Sequence, residues 1–253
     1  MAGCSRRRRV RVRWVHAVVG VCVASASVVA PAAPGDAEMP IDQVSVDSTE
    51  TGVYFDQVGL AIDGGGVVMS ADGNRLAADT TRQESERLVS FVQVFDWDGV
   101  GWTQVGADID EGNALAISAD GSRVAVGAVG LHSRLGYVQV HEWDGAAWSP
   151  LGPVMYGETA GEGFAQSVEL SADGGRMLVG TADRAKPGSV RMFEWDGAGW
   201  SRLGADIEGD AGFGWSAAMV GDRVAISEAP QFVGDDSERT VAGEVRVFDW
   251  DGA

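Results

Sequence analysis

The sequence predicts an all-β chain, a β-propeller built from four repeats of about 50 residues with four antiparallel strands each. Three observations carry this. A Trp-Asp-Gly turn followed five residues after its Trp by a second Trp occurs in "VQVFDWDGVGW" (92–102), "VQVHEWDGAAW" (138–148) and "VRMFEWDGAGW" (190–200). The run "SADGxR" begins at Ser70, Ser118 and Ser171, with the degenerate "MVGDR" at Met219. The body shows alternating strand patterns and no 3.6-residue periodicity.

Begun at the second aromatic, the units are Phe55–Gly101, Trp102–Ala147, Trp148–Gly199 and Trp200–Ala253, of 47, 46, 52 and 54 residues. In the second unit, "ALAIS" (114–118) is a short apolar run and Asp120-Gly121 supplies a tight hairpin turn. "RVAVGA" (123–128) is the return strand, "YVQVHEW" (137–143) the third, and Asp144-Gly145 turns the chain into "WSPLG". One such sheet cannot bury both faces alone, so successive sheets stack radially. Each Trp-Asp-Gly turn places two indoles on the arms of one hairpin, where they cover the outer edge of a blade. Their recurrence once per blade reads as structural, against the alternative of sugar stacking on exposed rings.

The ends of the chain read differently. Arg6, Arg7, Arg8, Arg9, Arg11 and Arg13 precede the uncharged run Ala17–Ala30, and no acid occurs before Asp36. Residues 1–35 therefore read as an export signal, with 36–50 as linker and 51–253 as the repeat body. The apolar run is shorter than the ~20 residues of a spanning helix, which favours a cleaved signal over a retained anchor. Adjacent arginines also fit a twin-arginine route, and an acid-free, Arg-rich start fits an organelle transit peptide.

Composition limits the chemistry. The net charge is −18, and from residue 36 onward it is 13 − 37 = −24. So acidic a body repels phosphate backbones and argues against nucleic-acid partners. Cys4 and Cys22 both lie in the leader, which leaves the body without a thiol nucleophile or a Cys-ligated metal. His132 and His141 are the only histidines beyond it. No catalytic, cofactor-binding or metal-binding residue is assigned.

The body resembles the FG-GAP repeat family, the propeller repeats also found in integrin alpha chains. The residues that carry the resemblance are Gly163-Phe164 and Gly212-Phe213-Gly214 at the FG position. Gly127-Ala128, Gly180-Thr181-Ala182 and Glu228-Ala229-Pro230 stand at the GAP position. The longer pattern, "W-[TS]-x-[VL]-G-A-D-I" with "S-A-D-G-x-R", is similar to bacterial and protist proteins built from tandem copies. "SADGxR" also resembles the TolB-like propeller repeat, which usually has Pro before the Asp. The FG-GAP resemblance implies a propeller used for binding or adhesion, with extracellular protein or glycan partners. Calcium-binding members carry a long loop of alternating Asp and Asn. Here that loop is cut to Ser-Ala-Asp-Gly, and a lone Asp72, Asp120, Asp173 or Asp222 cannot supply the six to eight oxygens calcium takes. These aspartates read as turn formers, and no cofactor is expected.

Strand alternation puts the Asp-Gly turns on one face of the disc. The Gly-Ala-Asp-Ile segments and the variable loops at 79–90, 129–136, 182–188 and 228–243 fall on the other. Asp120 and Asp144 should share a rim opposite His132. Arg82, Glu84, Glu86 and Arg87, like Asp235, Asp236 and Glu238, read as solvated loop charges. Pro150 offers no N–H to a ladder, which places "WSPLG" at a blade edge. The fourth blade then lacks its edge strand, and residues 54–58 are expected to pair with 244–250 and close a four-bladed ring. The rival is an open arc with edges prone to pairing between chains. The expected function is an exported, non-enzymatic binding module; the alternative is a propeller hydrolase or lyase acting on extracellular polysaccharide.

Overall fold

The computed structural model describes residues 66–252, apart from 85–86, 110–111, 131–134, 184–185, 230, 233–239 and 242. The leader, the linker, residues 54–58, His132 and Asp235, Asp236 and Glu238 lie outside the described residues, as do the side chains of Arg82, Glu84, Glu86 and Arg87.

Four antiparallel sheets stand as successive blades of a propeller, and among the described residues there is no helix. The first blade is β1 (Val67–Met69), β2 (Arg75–Glu84), β3 (Arg87–Trp97) and β4 (Trp102–Gln104), paired in that order. The second is β5 (Ala114–Ile117), β6 (Arg123–Ala128), β7 (Tyr137–Trp143) and β8 (Trp148–Pro150), with β9 (Met155–Tyr156) also on β7. The third repeats this with β10 (Phe164–Leu170), β11 (Arg176–Asp183), β12 (Lys186–Trp195), β13 (Trp200–Arg202) and β14 (Ile207–Ala211), the last pairing with β12. The fourth is β15 (Phe213–Val220), β16 (Arg223–Glu228) and β19 (Val245–Asp249). Between β16 and β19, β17 (Gln231–Phe232) and β18 (Thr240–Val241) form a separate small ladder.

Pro150 lies on the sheet edge, where its missing N–H leaves no ladder bond unmade. Two expectations change. The outer strands β4, β8 and β13 cover only one end of their long neighbours. The link to the next blade therefore pairs along the uncovered end first, as in Val190 with Ile207. The connections expected as loops at 79–90 and 182–188 are continuations of the strands, paired as far as Glu84 with Arg87 and Asp183 with Lys186.

The core is divided among the blade boundaries, because alternate residues of each strand face opposite neighbours. Val92 and Val94 pack on Val124 and Val126 between blades one and two. Val138 and Val140 meet Val168, Leu170 and Val179 between two and three. Val190 and Met192 meet Ala217, Met219 and Ile226 between three and four.

Candidate functional site

The Asp-Gly face is built to be structural. Ser70 Oγ donates to Asp72 Oδ1 at 2.6 Å, the N–H of Asn74 donates to the same oxygen at 3.0 Å, and the N–H of Arg75 donates back to Ser70 Oγ at 3.0 Å. Asp120 and Asp173 repeat the arrangement with Ser118 and Ser171 at 2.6 and 2.5 Å. The serine hydroxyl, joined by the Asn74 backbone and side-chain donors, holds the Asp72 carboxyl down to about 2. Asp222 departs from this pattern and accepts from Arg176 Nη1 at 2.7 Å. Asp98, Asp144 and Asp196 each accept two backbone N–H bonds in the second turn, which lowers their pKa values. The N–H of Trp143 donates to the Ser122 carbonyl at 2.8 Å, so the Asp120 and Asp144 turns sit side by side on one rim.

The paired indoles do more than cover an edge. Trp97 packs at a tilt against Trp102, Trp143 against Trp148 and Trp195 against Trp200, with centroids 5.3, 5.3 and 5.5 Å apart. The second and third pairs also lean on the blade before them. Trp148 Nε1 donates to the Val105 carbonyl and Trp200 Nε1 to the Leu151 carbonyl, both at 3.0 Å. Gly106 makes room for this: a Cβ there would lie 2.8 Å from Trp148 Cδ1, and its φ is +78°.

Arginine completes the boundary. Arg75 forks onto Asp96 at 2.5 and 2.7 Å, and its guanidinium lies 5.6 Å from the ring centroids of both Trp143 and Trp148. Arg123 binds Glu142 at 2.8 and 2.9 Å and reaches the Gly174 carbonyl at 3.0 Å. These residues belong to the repeat frame and bond to one another across it.

The face carrying the connections holds charged groups that the first two blades lack; the fourth blade has Arg246 at the same place, 4.4 Å over the Phe213 ring. Arg191 on β12 is buried over the Phe164 ring, where the first and second blades have Gln93 and Gln139. It binds Glu162 at 3.0 and 3.2 Å and Asp206 at 3.2 Å, with Glu158 at 3.5 Å. Arg202, half exposed, bridges the Glu158 and Asp206 carboxylates at 3.2 and 3.1 Å. Burial raises the Glu162 pKa, and the Arg191 guanidinium and the Glu158 N–H outweigh it, so the group is held below its ordinary value. Lys186 Nζ donates to the Gly161 carbonyl at 3.0 Å and ties the tip of the β11–β12 hairpin to the same connection. Three carboxylates and two guanidiniums form a cross-linked polar patch. Most of its charges are paired within the patch.

A second departure sits at a blade boundary. Glu169 on β10 stands where the other inner strands carry Val68, Ala116 and Ala218. It lies opposite Leu178, which packs against the fourth blade. Burial pushes its carboxyl up to about 7, against a smaller opposite effect from the Met219 N–H it accepts. Among the described residues, no group of three or more His, Cys, Asp or Glu is arranged to hold a metal.

Comparison with known proteins assigns no activity. No family model matches the chain, and no curated protein does. Among solved structures, the β-propeller domain of the Trilobed protease from Pyrococcus furiosus, which has an open velcro topology, is similar with a TM-score of 0.49 at 12% identity, covering 72% of this chain and 53% of that one. A putative TolB from Agrobacterium tumefaciens is similar with a TM-score of 0.46 at 18% identity, covering 76% and 65%. The Pyrococcus horikoshii acylaminoacyl peptidase gives 0.44 at 13%, covering 61% and 26%. This chain spans about half the length of the first of these.

Proposed function

We propose that the chain is an exported, non-enzymatic propeller of the FG-GAP type whose connection face binds an extracellular protein or glycan. The observation that carries this is the segregation of sequence novelty. The Asp-Gly face repeats the same Ser–Asp turn chemistry in the first three blades, whereas the connections that differ between repeats gather on the opposite face. Variable segments held on a rigid scaffold are the usual seat of recognition. The exposed Glu158 and Arg202, braced by buried Arg191, provide a fixed donor–acceptor pair there. Support for the FG-GAP reading comes from Phe164 and Phe213, both fully buried beside positive-φ glycines Gly163 and Gly212. Export rests on the Arg-rich leader; an N-terminal sequence starting at Met1 on extracytoplasmic protein would count against cleavage.

A glycan and protein array probed beside a polysaccharide hydrolase and lyase panel tests the function. Binding lost in E158A and R202A, with no turnover, is the expected result. Turnover abolished by one loop carboxylate change would overturn it. The enzyme reading has one observation in its favour, the Glu169 carboxyl, which titrates in the range of a general acid.

A further inference from the structure

Three unlike residues occupy one repeat position where the inner strands begin, at the connection face. Ala114 faces Gly127 across β5 and β6, Ser167 faces Gly180 across β10 and β11, and Ser216 faces Ser227 across β15 and β16, which marks them as equivalent. The residues just before them are Asn113, Gln166 and Trp215; the counterpart in the first unit, Gly65, lies outside the described residues. In the third and fourth blades this position belongs to a bulge. The register slips between Phe164 and Ser167 and between Phe213 and Ser216, which leaves Gln166 and Trp215 outside the ladder. Ala165 holds the first bulge at a φ of +66°, a strained conformation for a residue with a Cβ.

Contacts between blades draw the three positions together. A Cβ added at Gly127 would meet Ala114 Cβ at 3.3 Å and Ala165 Cβ at 3.1 Å, so the neighbours of Asn113 and Gln166 converge on one point. Ser167 Oγ donates to the Gly214 carbonyl at 2.9 Å, which joins the neighbours of Gln166 and Trp215. Asn113 is exposed, and Gln166 and Trp215 are half-buried. The side-chain amides of Asn113 and Gln166 have no hydrogen-bond partner among the described residues. Frame residues recur from blade to blade; these three do not, so the stacking of blades does not call for them.

Two uncommitted amides and an indole carry no charge. Each amide brings donors and an acceptor, which matches neighbouring hydroxyls, and an indole packs on an apolar ring face. We propose that this spot, nearest the propeller axis on the connection face, binds a neutral saccharide. Asn113 and Gln166 bond its hydroxyls and Trp215 packs against the sugar ring. The inference rests on the reading of the connection face as a binding surface and names its ligand. The acidic body disfavours uronates and sulfated sugars at the same spot.

Arrays of neutral glycans, of uronate-bearing or sulfated glycans and of proteins, probed with the full chain, test this. Neutral-glycan binding should weaken about tenfold or more in Q166A and in W215A, less in N113A, and persist in W215F. N113A and Q166A should melt as the wild type does, which separates lost recognition from lost folding. Neutral-glycan binding that survives Q166A and W215A would overturn the inference. So would hits confined to anionic glycans or proteins, or binding lost only in E158A and R202A; each of these leaves the connection face as the binding surface. No hit on any array would overturn that reading as well.

Discussion

Arg75 Nη1 donates to the carbonyl oxygen of Gly121, 3.0 Å away, across the boundary between the first and second blades. The same guanidinium forks onto Asp96 within its own blade. One side chain thus closes a blade and fastens it to its neighbour. Arg123 repeats this with Glu142 and Gly174, and its partial burial keeps the bonds from being screened away. R123A should destabilise the protein by about 2 kcal/mol, measured by denaturant unfolding. R123K should not restore it, because an ammonium cannot serve both directions at once. A variant as stable as wild type would reduce these arginines to surface charges.

Gly106 tests the indole seat. An alanine there must adopt a left-handed φ and put its Cβ against the Trp148 ring. G106A should cost on the order of 2 kcal/mol, whereas G145A, at a turn with open space around it, should lose only the backbone part of that cost. Equal losses at the two sites would show that the close approach to Trp148 is not what requires glycine.

Much of this frame was legible in the residues, and the reason is local. Period-two strands, Asp-Gly turns and recurring indole pairs are short-range signals, and Trp97 does face Trp102 across a hairpin. The boundary arginines also left a signal. Arg75, Arg123 and Arg176 each stand five positions after the start of the turn motif, and Arg223 four after Met219 in its shorter equivalent; each has an acid just before the hairpin Trp: Asp96, Glu142, Glu194 and Asp249. That the two would meet, and that the arginine would reach the next blade, depends on how sheets stack. The Arg191 patch could not be read from periodicity, because the first two blades have Gln93 and Gln139 at its position and the connection that supplies Glu158 and Glu162 is longer than its counterpart before Phe213. The pairing of β14 along β12 follows from how short β13 is, a length the sequence pattern does not mark.

Calcium should leave the melting temperature nearly unchanged at millimolar concentration. The carboxylates of Asp72, Asp120 and Asp173 already accept serine hydroxyl and backbone N–H bonds. A cation would have to break these bonds and would gain one carboxylate per turn, far short of its usual shell. Differential scanning fluorimetry with and without a chelator checks this; an increase of several degrees that the chelator reverses would overturn it.

Glu169 gives the sharpest dependence on pH. Its pKa in the folded protein, about 7, lies above the ordinary 4.5 because burial against the fourth blade penalises the charge. Below pH 4.5 the carboxyl is protonated whether folded or unfolded, and it has no effect on stability. As pH rises from 4.5 to 7 the unfolded chain releases the proton while the folded one retains it, so stability falls across this window and levels off above it. Allowing for partial exposure, the loss is on the order of 2 kcal/mol. E169Q removes the titration and keeps an oxygen for the Met219 N–H. It should raise the melting temperature by about 5 °C at pH 8 and leave it unchanged at pH 4.5. A gain of equal size at both values would mean that the packing and hydrogen bonding of the amide, rather than relief of a buried charge, are responsible. No gain at pH 8 would mean that water reaches the carboxylate at the boundary between the third and fourth blades.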